Sequence, residues 1–537
     1  MTADEGAYLR GSRQRRAVPP AQLAADPGPG AQSSGARDVG AGRDGVLVLI
    51  AELCGILDAE GVRYCHWKSN EAIARSESGE NDLDLLVARA DADRFEDVLR
   101  RLRFKVVLQP AWKRLPGIYH AYGLDPSGAF VHIHAHYQLV VGDDMTKNLH
   151  LPIESAYVAS ARREGLFPTP APEYELALFL IRMTVKHCTW DGIVSLQGSL
   201  STSERRELVH LRARADPDEF RAVVERHLPF IASDLWRRCE RAVGGDVSSW
   251  FRIRTAARLQ GALSTCSRRA PQLDTWVRMW RRGRTVVRRK ALRRGPVRNQ
   301  LASGGALVAI VGGDGAGKTT AVEGLARWFD SEHIDCRRLH LGKPGWSPLT
   351  TVVKGGLRLA AAAKRGPTSS AKALRTELST GGARRLGMRS RARLSWEVLT
   401  ARDRYRAYRR ARRLASNGSV VICDRYPLTE VVSMDGAVTA RIAADPSGWG
   451  RWARTMAAME RRYYERIARP DVLIVLRVDP DTAVERKRGL EPESTVRPRS
   501  EEIWRIDWRD RSAVVIDASS SRDEVLSQVK SAVWSRL

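Results

Sequence analysis

The run Gly312-Gly313-Asp314-Gly315-Ala316-Gly317-Lys318-Thr319-Thr320 follows directly on the apolar stretch Ala306-Leu307-Val308-Ala309-Ile310-Val311. That succession fits a buried strand, a glycine-rich turn and a helix start. Such a turn lets successive backbone N–H groups point at one anion, and the following helix adds the positive end of its dipole. The segment reads as a phosphate-binding loop. Gly312 to Thr320 would cradle a polyphosphate, Lys318 would reach its terminal phosphates and Thr319 would hold Mg²⁺. A chance glycine-rich turn is the competing reading, and the buried-type strand before it argues against chance.

A chain of 537 residues is too long for one core, so two or three domains are expected. Cys54, Cys65, Cys188, Cys239, Cys266, Cys336 and Cys423 form no C-x-x-C pair, so the cysteines encode neither a disulfide framework nor a zinc site. No apolar run approaches the roughly 20 residues that span a bilayer, and no apolar stretch follows the early arginines as in a secretion signal. A cytoplasmic location without a membrane span is expected. The net charge of +27 suits anionic partners, but its arginines are spread over several segments and no nucleic-acid readout motif accompanies them. Nucleic acid is therefore not the expected partner.

Residues 1–44 hold almost no large apolar side chains and read as a disordered leader. From Val46 the spacing of Leu49, Ile50, Leu53, Ile56 and Leu57 is helical, followed by strand-like runs at Leu83–Val87, Phe104–Leu108 and Phe130–His134. A small α/β or α+β domain is expected over 45–155. A helical region follows over 156–300, mostly all-α between Glu173 and Arg289. Its end, 251–298, is rich in arginine against the single acid Asp274 and carries Trp276, Met279, Trp280, Val286 and Val287. It reads as a connecting helix whose aromatics pack on a neighbour, with peripheral contact to an anionic membrane as the alternative. The last domain is expected over 301–537.

Within it, Gly418-Ser419-Val420-Val421-Ile422-Cys423-Asp424-Arg425-Tyr426-Pro427 reads as a buried parallel strand delivering Asp424 and Arg425 at its carboxyl end, where open α/β sheets bind ligands. There a carboxylate can hold Mg²⁺ and a guanidinium can clamp a phosphate. Further strands read at Val472–Val478 and Ala513–Ala518. Between them lies an arginine-dense stretch with Arg486, Lys487, Arg488, Arg497 and Arg499.

In this order, with His340-Leu341-Gly342-Lys343-Pro344 and Ala401-Arg402-Asp403-Arg404 between, residues 305–537 resemble the thymidylate kinase branch of the P-loop nucleoside monophosphate kinases. The resemblance implies an α/β doubly wound parallel sheet and an enzyme that moves the γ-phosphate of ATP, with Mg²⁺, to a small phosphorylated acceptor such as dTMP. It implies catalytic roles for Lys318, Asp424, Arg425, Arg404 and the lid arginines Arg486 and Arg488. Asp314 would look toward the acceptor, and closure of 486–499 would exclude water. Two stretches depart from the family. Where serines and then alanine-tyrosine-glutamine are usual, this chain reads Pro427-Leu428-Thr429-Glu430-Val431-Val432-Ser433, and the segment between Pro344 and Arg404 is long and arginine-rich. The acceptor stays open.

The front domain carries a second resemblance. Lys68-Ser69, followed by Asp82-Leu83-Asp84, is similar to the Gly-Ser turn and Asp-x-Asp of polymerase-β-like nucleotidyltransferases. Asp82 and Asp84 share a strand face and would bind Mg²⁺. On the later strand expected to bring a third carboxylate stand His132, His134 and His136, able to bind a transition metal or line a polar pocket. Three functions compete: the kinase with an accessory front domain, a nucleotidyltransferase whose P-loop domain supplies or senses nucleotide, and a non-enzymatic nucleotide-gated binding protein. A homodimer is compatible with all three.

Overall fold

The computed structural model describes residues 45–115, 117–194, 199–290, 298–342, 388–428, 449–508 and 512–537, with isolated positions between 345 and 447. The leader, Lys343-Pro344 and most of the arginine-rich stretch before Met388 lie outside them. Two compact units, Met1–Pro296 and Val297–Leu537, make up a mixed α/β chain. No helix among the described residues is long and apolar enough to cross a membrane.

In the first unit the helix Val48–Ala59 buries Leu49, Ile50, Leu53 and Leu57, the face that helical periodicity assigns to a core. It packs with a mixed sheet of β1 (Tyr64–His66), β2 (Leu83–Val87), β3 (Lys105–Leu108), β4 (Ile118–Leu124) and β5 (Phe130–His136), in the spatial order β1-β2-β5-β4-β3. β2 and β5 run parallel, and the other neighbours are antiparallel. Two small hairpins follow, β6 (Leu139–Val141) with β7 (Leu149–Leu151) and β8 (Arg162–Arg163) with β9 (Pro168–Thr169). β4 is absent from the sequence reading because Ile-Tyr-His-Ala-Tyr-Gly-Leu lacks a run of β-branched residues and contains glycine.

Helices then dominate from Pro172 to Lys290, matching the helical spacing of that region. They do not stand apart from the sheet: Cys65, Trp67 and Leu86 share one core with Leu176, Phe179, Leu180 and Trp236. The helix Pro172–His187 buries residues on nearly every side, including Glu175. Asn70 Nδ2 donates to Glu175 Oε2 at 3.0 Å. Burial, with Glu207 nearby, pushes the Glu175 carboxyl up to about 7 against that hydrogen bond. The folded state therefore binds this proton more tightly than the unfolded chain, so stability falls as pH rises from the unfolded carboxyl value toward 7. The loss amounts to about 3 kcal/mol. Glu175→Gln should remove that slope, raising the urea midpoint at pH 8 while changing it little at pH 4.5; equal shifts at both pH values would contradict the burial of a proton here.

The helix Pro271–Lys290 is held along one side by buried charge. Arg278 Nη1 lies 2.8 Å from Asp191 and its Nε 3.2 Å from Asp274, one turn earlier, while Arg282 reaches Asp143 at 2.6 Å. The opposite side exposes Leu273, Trp276, Met279, Trp280, Val286 and Val287, with Trp276 68% exposed.

The second unit opens with a short strand, β10 (Gln300–Leu301), and is built on β11 (Leu307–Gly312), β12 (Cys336–His340), β13 (Val420–Asp424), β14 (Val472–Arg477) and β15 (Ala513–Asp517). All pair in parallel, in the order β12-β13-β11-β14-β15. β11 is buried at every position, as a central parallel strand covered on both faces requires. Register places Ile310 beside Asp424 and His340 beside Asp424, so three carboxyl ends open on one edge.

Candidate functional site

At the end of β11 the chain turns through Gly315 (φ +82°) and Gly317 (φ +80°), left-handed positions that favour glycine. The helix Lys318–Ser331 then begins and buries Ala321, Val322, Leu325 and Phe329. The first N–H groups of a helix lack intrahelical acceptors, so this turn offers donors to an anion. Neighbours hold the loop closely. A Cβ on Gly312 would lie 2.5 Å from the Leu476 carbonyl, one on Gly313 2.7 Å from Ser500 Oγ, and one on Gly315 2.9 Å from the Ala483 carbonyl. Gly315→Ala combines strain with that backbone clash and should cost about 1–3 kcal/mol. A urea midpoint equal to wild type would contradict the loop geometry.

Lys318 Nζ donates to the carbonyls of Gly312 at 3.0 Å and Gly313 at 2.6 Å, and lies 3.9 Å from Asp314. Burial, with Arg425 and Lys487 nearby, draws the Lys318 ammonium below its usual range, against Asp314 and Asp424. Those charges mark what the fold brings together: Lys318, Asp314, Asp424, Arg425 and Lys487. Thr319 is exposed on the first helical turn, and Thr320 Oγ1 accepts from Arg522 at 3.4 Å. Asp424 is partly exposed with His340 Nε2 at 3.9 Å; Arg425 follows, exposed, at φ +54°.

The arginine-dense stretch folds as two helices, Pro480–Lys487 and Glu493–Arg505. Asp479 caps the first by accepting from Asp481 N and Thr482 N, with Pro480 at the first turn. The cap aims Arg486 at the Ala518 carbonyl (2.9 Å) and, at 3.4 Å, at that of Gly315. Arg488 is exposed just past this helix. The arginine that touches the loop's acid is Arg499, whose Nη1 lies 2.8 Å from Asp314 Oδ2. Burial opposes ionisation of Asp314, but Arg499 and Lys318 hold its carboxyl below the usual range. The sequence places Arg499 in the basic stretch without singling it out, because nothing local distinguishes it among the five cations there.

Arg404 is buried on the long helix Met388–Ser416. Its Nε donates to the Leu341 carbonyl at 2.7 Å, its Nη2 to that of Gly342 at 3.2 Å and its Nη1 to the Tyr464 hydroxyl. It braces the turn after β12, beside Arg425: a Cβ on Gly342 would lie 2.8 Å from Arg425 Cδ.

In the first unit the Lys68-Ser69 turn is occupied by protein groups. Ser69, at φ +60°, donates its N–H to Glu207 Oε1 at 3.2 Å, and Lys68 Nζ lies 2.8 Å from Asp84. Asp82 Oδ1 lies 2.9 Å from His132 Nδ1. Burial works against both carboxylates, yet His132 and His134 hold Asp82, and Lys68 and His134 hold Asp84, well below the usual range. No third carboxylate joins Asp82 and Asp84 from β5, and His136 is buried with its ring 4.9 Å from Trp67. His120 enters this cluster from β4, unforeseen because its strand was.

Neither a protein-family model nor a curated protein matches this chain.

Proposed function

We propose that the second unit is an ATP- and Mg²⁺-dependent phosphotransferase, similar to thymidylate kinase, that passes the γ-phosphate of ATP to a nucleoside monophosphate or another small phosphorylated acceptor. The observation that carries this reading is the convergence of the glycine turn, Lys318, Asp424 and Arg425 on one edge of a parallel sheet.

The residues fit the group they would receive. Three glycines stand where a Cβ would meet backbone or side chain, a half-buried lysine contacts two carbonyls and one carboxylate, and a hydroxyl and a carboxylate flank it. Thr319 and Asp424 would hold Mg²⁺, which when bound neutralises the terminal phosphates of ATP. Lys318 would exchange its carbonyl partners for phosphate oxygens, and the loop amides would orient the chain of phosphates. Arg425 would hold the acceptor phosphate, and Arg404 would fix the turn beside it. Arg486 and Arg499, already against Gly315 and Asp314, would close the site to water. The bond from the β-phosphate oxygen to the γ-phosphorus breaks as a bond to the acceptor oxygen forms, so ADP and phosphorylated acceptor arise in equal amounts. Little covalent work is asked of the protein; position and positive charge supply the acceleration.

The first unit reads as accessory. Ser69 is engaged by Glu207, Lys68 by Asp84, and β5 brings no third carboxylate, which disfavours nucleotidyl transfer there. A test is titration of Mg·ATP into the isolated unit Val297–Leu537 and into the full chain. Equal affinities are expected. A folded isolated unit that does not bind would mean that nucleotide binding requires the first unit.

A further inference from the structure

One face of the first unit's sheet gathers imidazoles that phosphoryl transfer does not use. His120 on β4 stands across from His134 on β5, and His134 stands across from Asp84 on β2. Strand alternation puts His132 on the face of His134. Ring centroids lie 4.6 Å apart for His120 and His134 and 4.2 Å for His132 and His134. One ring nitrogen from each of the three lies within 4.8 Å of the others. Tetrahedral Zn²⁺, with bonds of about 2.0–2.1 Å, holds its nitrogens about 3.4 Å apart, so side-chain adjustments of about an ångström close the set.

Two further features point to a cation. His120 Nδ1 is buried without a hydrogen-bond partner among the described residues, a costly state for a ring nitrogen unless something binds it. Beside the rings, Asp82 places Oδ1 2.9 Å from His132 Nδ1 and Oδ2 3.7 Å from His134 Nε2, and its side chain is 47% exposed, which leaves an entry from solvent. A carboxylate there can orient an imidazole ligand or supply the fourth donor. Imidazole donors select zinc and its transition-metal neighbours over Mg²⁺.

We propose that His120, His132 and His134, with Asp82, form a binding site for a divalent transition cation, Zn²⁺ by its donor set. This site differs from the paired-aspartate Mg²⁺ site expected from the sequence, since Asp84 is engaged by Lys68 and the nitrogen donors come from two other strands. It does not depend on the phosphotransferase reading.

The test uses the full chain, free of any purification tag and stripped with chelator, titrated with Co²⁺ and then Zn²⁺ in excess Mg²⁺. One equivalent of Co²⁺ should give the intense visible bands of tetrahedral coordination, and Zn²⁺ should abolish them. His120→Gln with His134→Gln should lose the bands and weaken Zn²⁺ binding by about 100-fold or more, with circular dichroism unchanged. Absence of the bands in wild type, or their persistence in a folded double variant, would overturn the site. X-ray absorption of the wild-type Zn²⁺ protein decides independently of any variant: three imidazole ligands support the proposal, and fewer overturn it.

Discussion

Replacing Lys318 with methionine is expected to lower ATP-dependent phosphoryl transfer by about 10³-fold or more while leaving the second unit folded. The lysine sits on the first turn of its helix, and among the described residues its ammonium contacts the Gly312 and Gly313 carbonyls and, at 3.9 Å, Asp314. Methionine keeps an unbranched apolar stem of similar volume and removes only the charge, so packing against the helix survives. What disappears is a cation preplaced beside the phosphates, in a partly buried site where charge acts more strongly than in water. Initial rates with matched thermal midpoints measure this. Turnover equal to wild type in a folded variant would remove the loop from the chemistry.

Arg425→Ala is expected to cut turnover by about 100-fold and to raise the KM for the acceptor more than that for ATP. Arg425 leaves the end of β13 in the left-handed region and is exposed, and among the described residues no acid lies within ion-pair distance. Its removal should therefore leave stability nearly unchanged, because alanine occupies the same backbone region and no buried partner is stranded. Arg425→Lys separates charge from shape: a lysine keeps the charge without the planar fork that grips a phosphate through two nitrogens. Partial recovery by lysine fits a phosphate clamp. Equal losses for acceptor and ATP would move Arg425 off the acceptor side.

The parts of this fold legible in the sequence are those whose pattern is local. β11 and β14 read as buried strands because their residues are apolar or small, save Arg477 at the end of β14, and the turn after β11 is marked by glycines, two of them at positive φ, where glycine is favoured. Leu83–Val87 was legible to the residue because Leu83, Leu85, Leu86 and Val87 form an apolar run that only Asp84 interrupts. β4 was not, since its burial comes from neighbours on both sides and not from its own composition. The histidine cluster was half visible: His132 and His134 alternate on one strand, whereas His120 joins them only through the register of β4 on β5. Long-range polar commitments were likewise hidden. That Glu207 would hold Ser69 across 138 positions, or Tyr464 would meet Arg404, depends on helix packing that periodicity does not encode. The basic helix shows the converse, since its composition was plain but its apolar residues remain exposed while Asp274, the one acid, is buried with Arg278.

The most direct measurement of the central claim follows label from ATP. The full chain is mixed with Mg²⁺, γ-labelled ATP and a panel of thymidylate, other nucleoside monophosphates and phosphorylated sugars, and label on acceptor, ADP and pyrophosphate are quantified together. The account predicts label covalently attached to one acceptor class, with ADP formed in equal amount and no pyrophosphate. Accumulation of pyrophosphate with AMP or a nucleotidyl product would contradict it and assign the reaction to the aspartate face of the first unit.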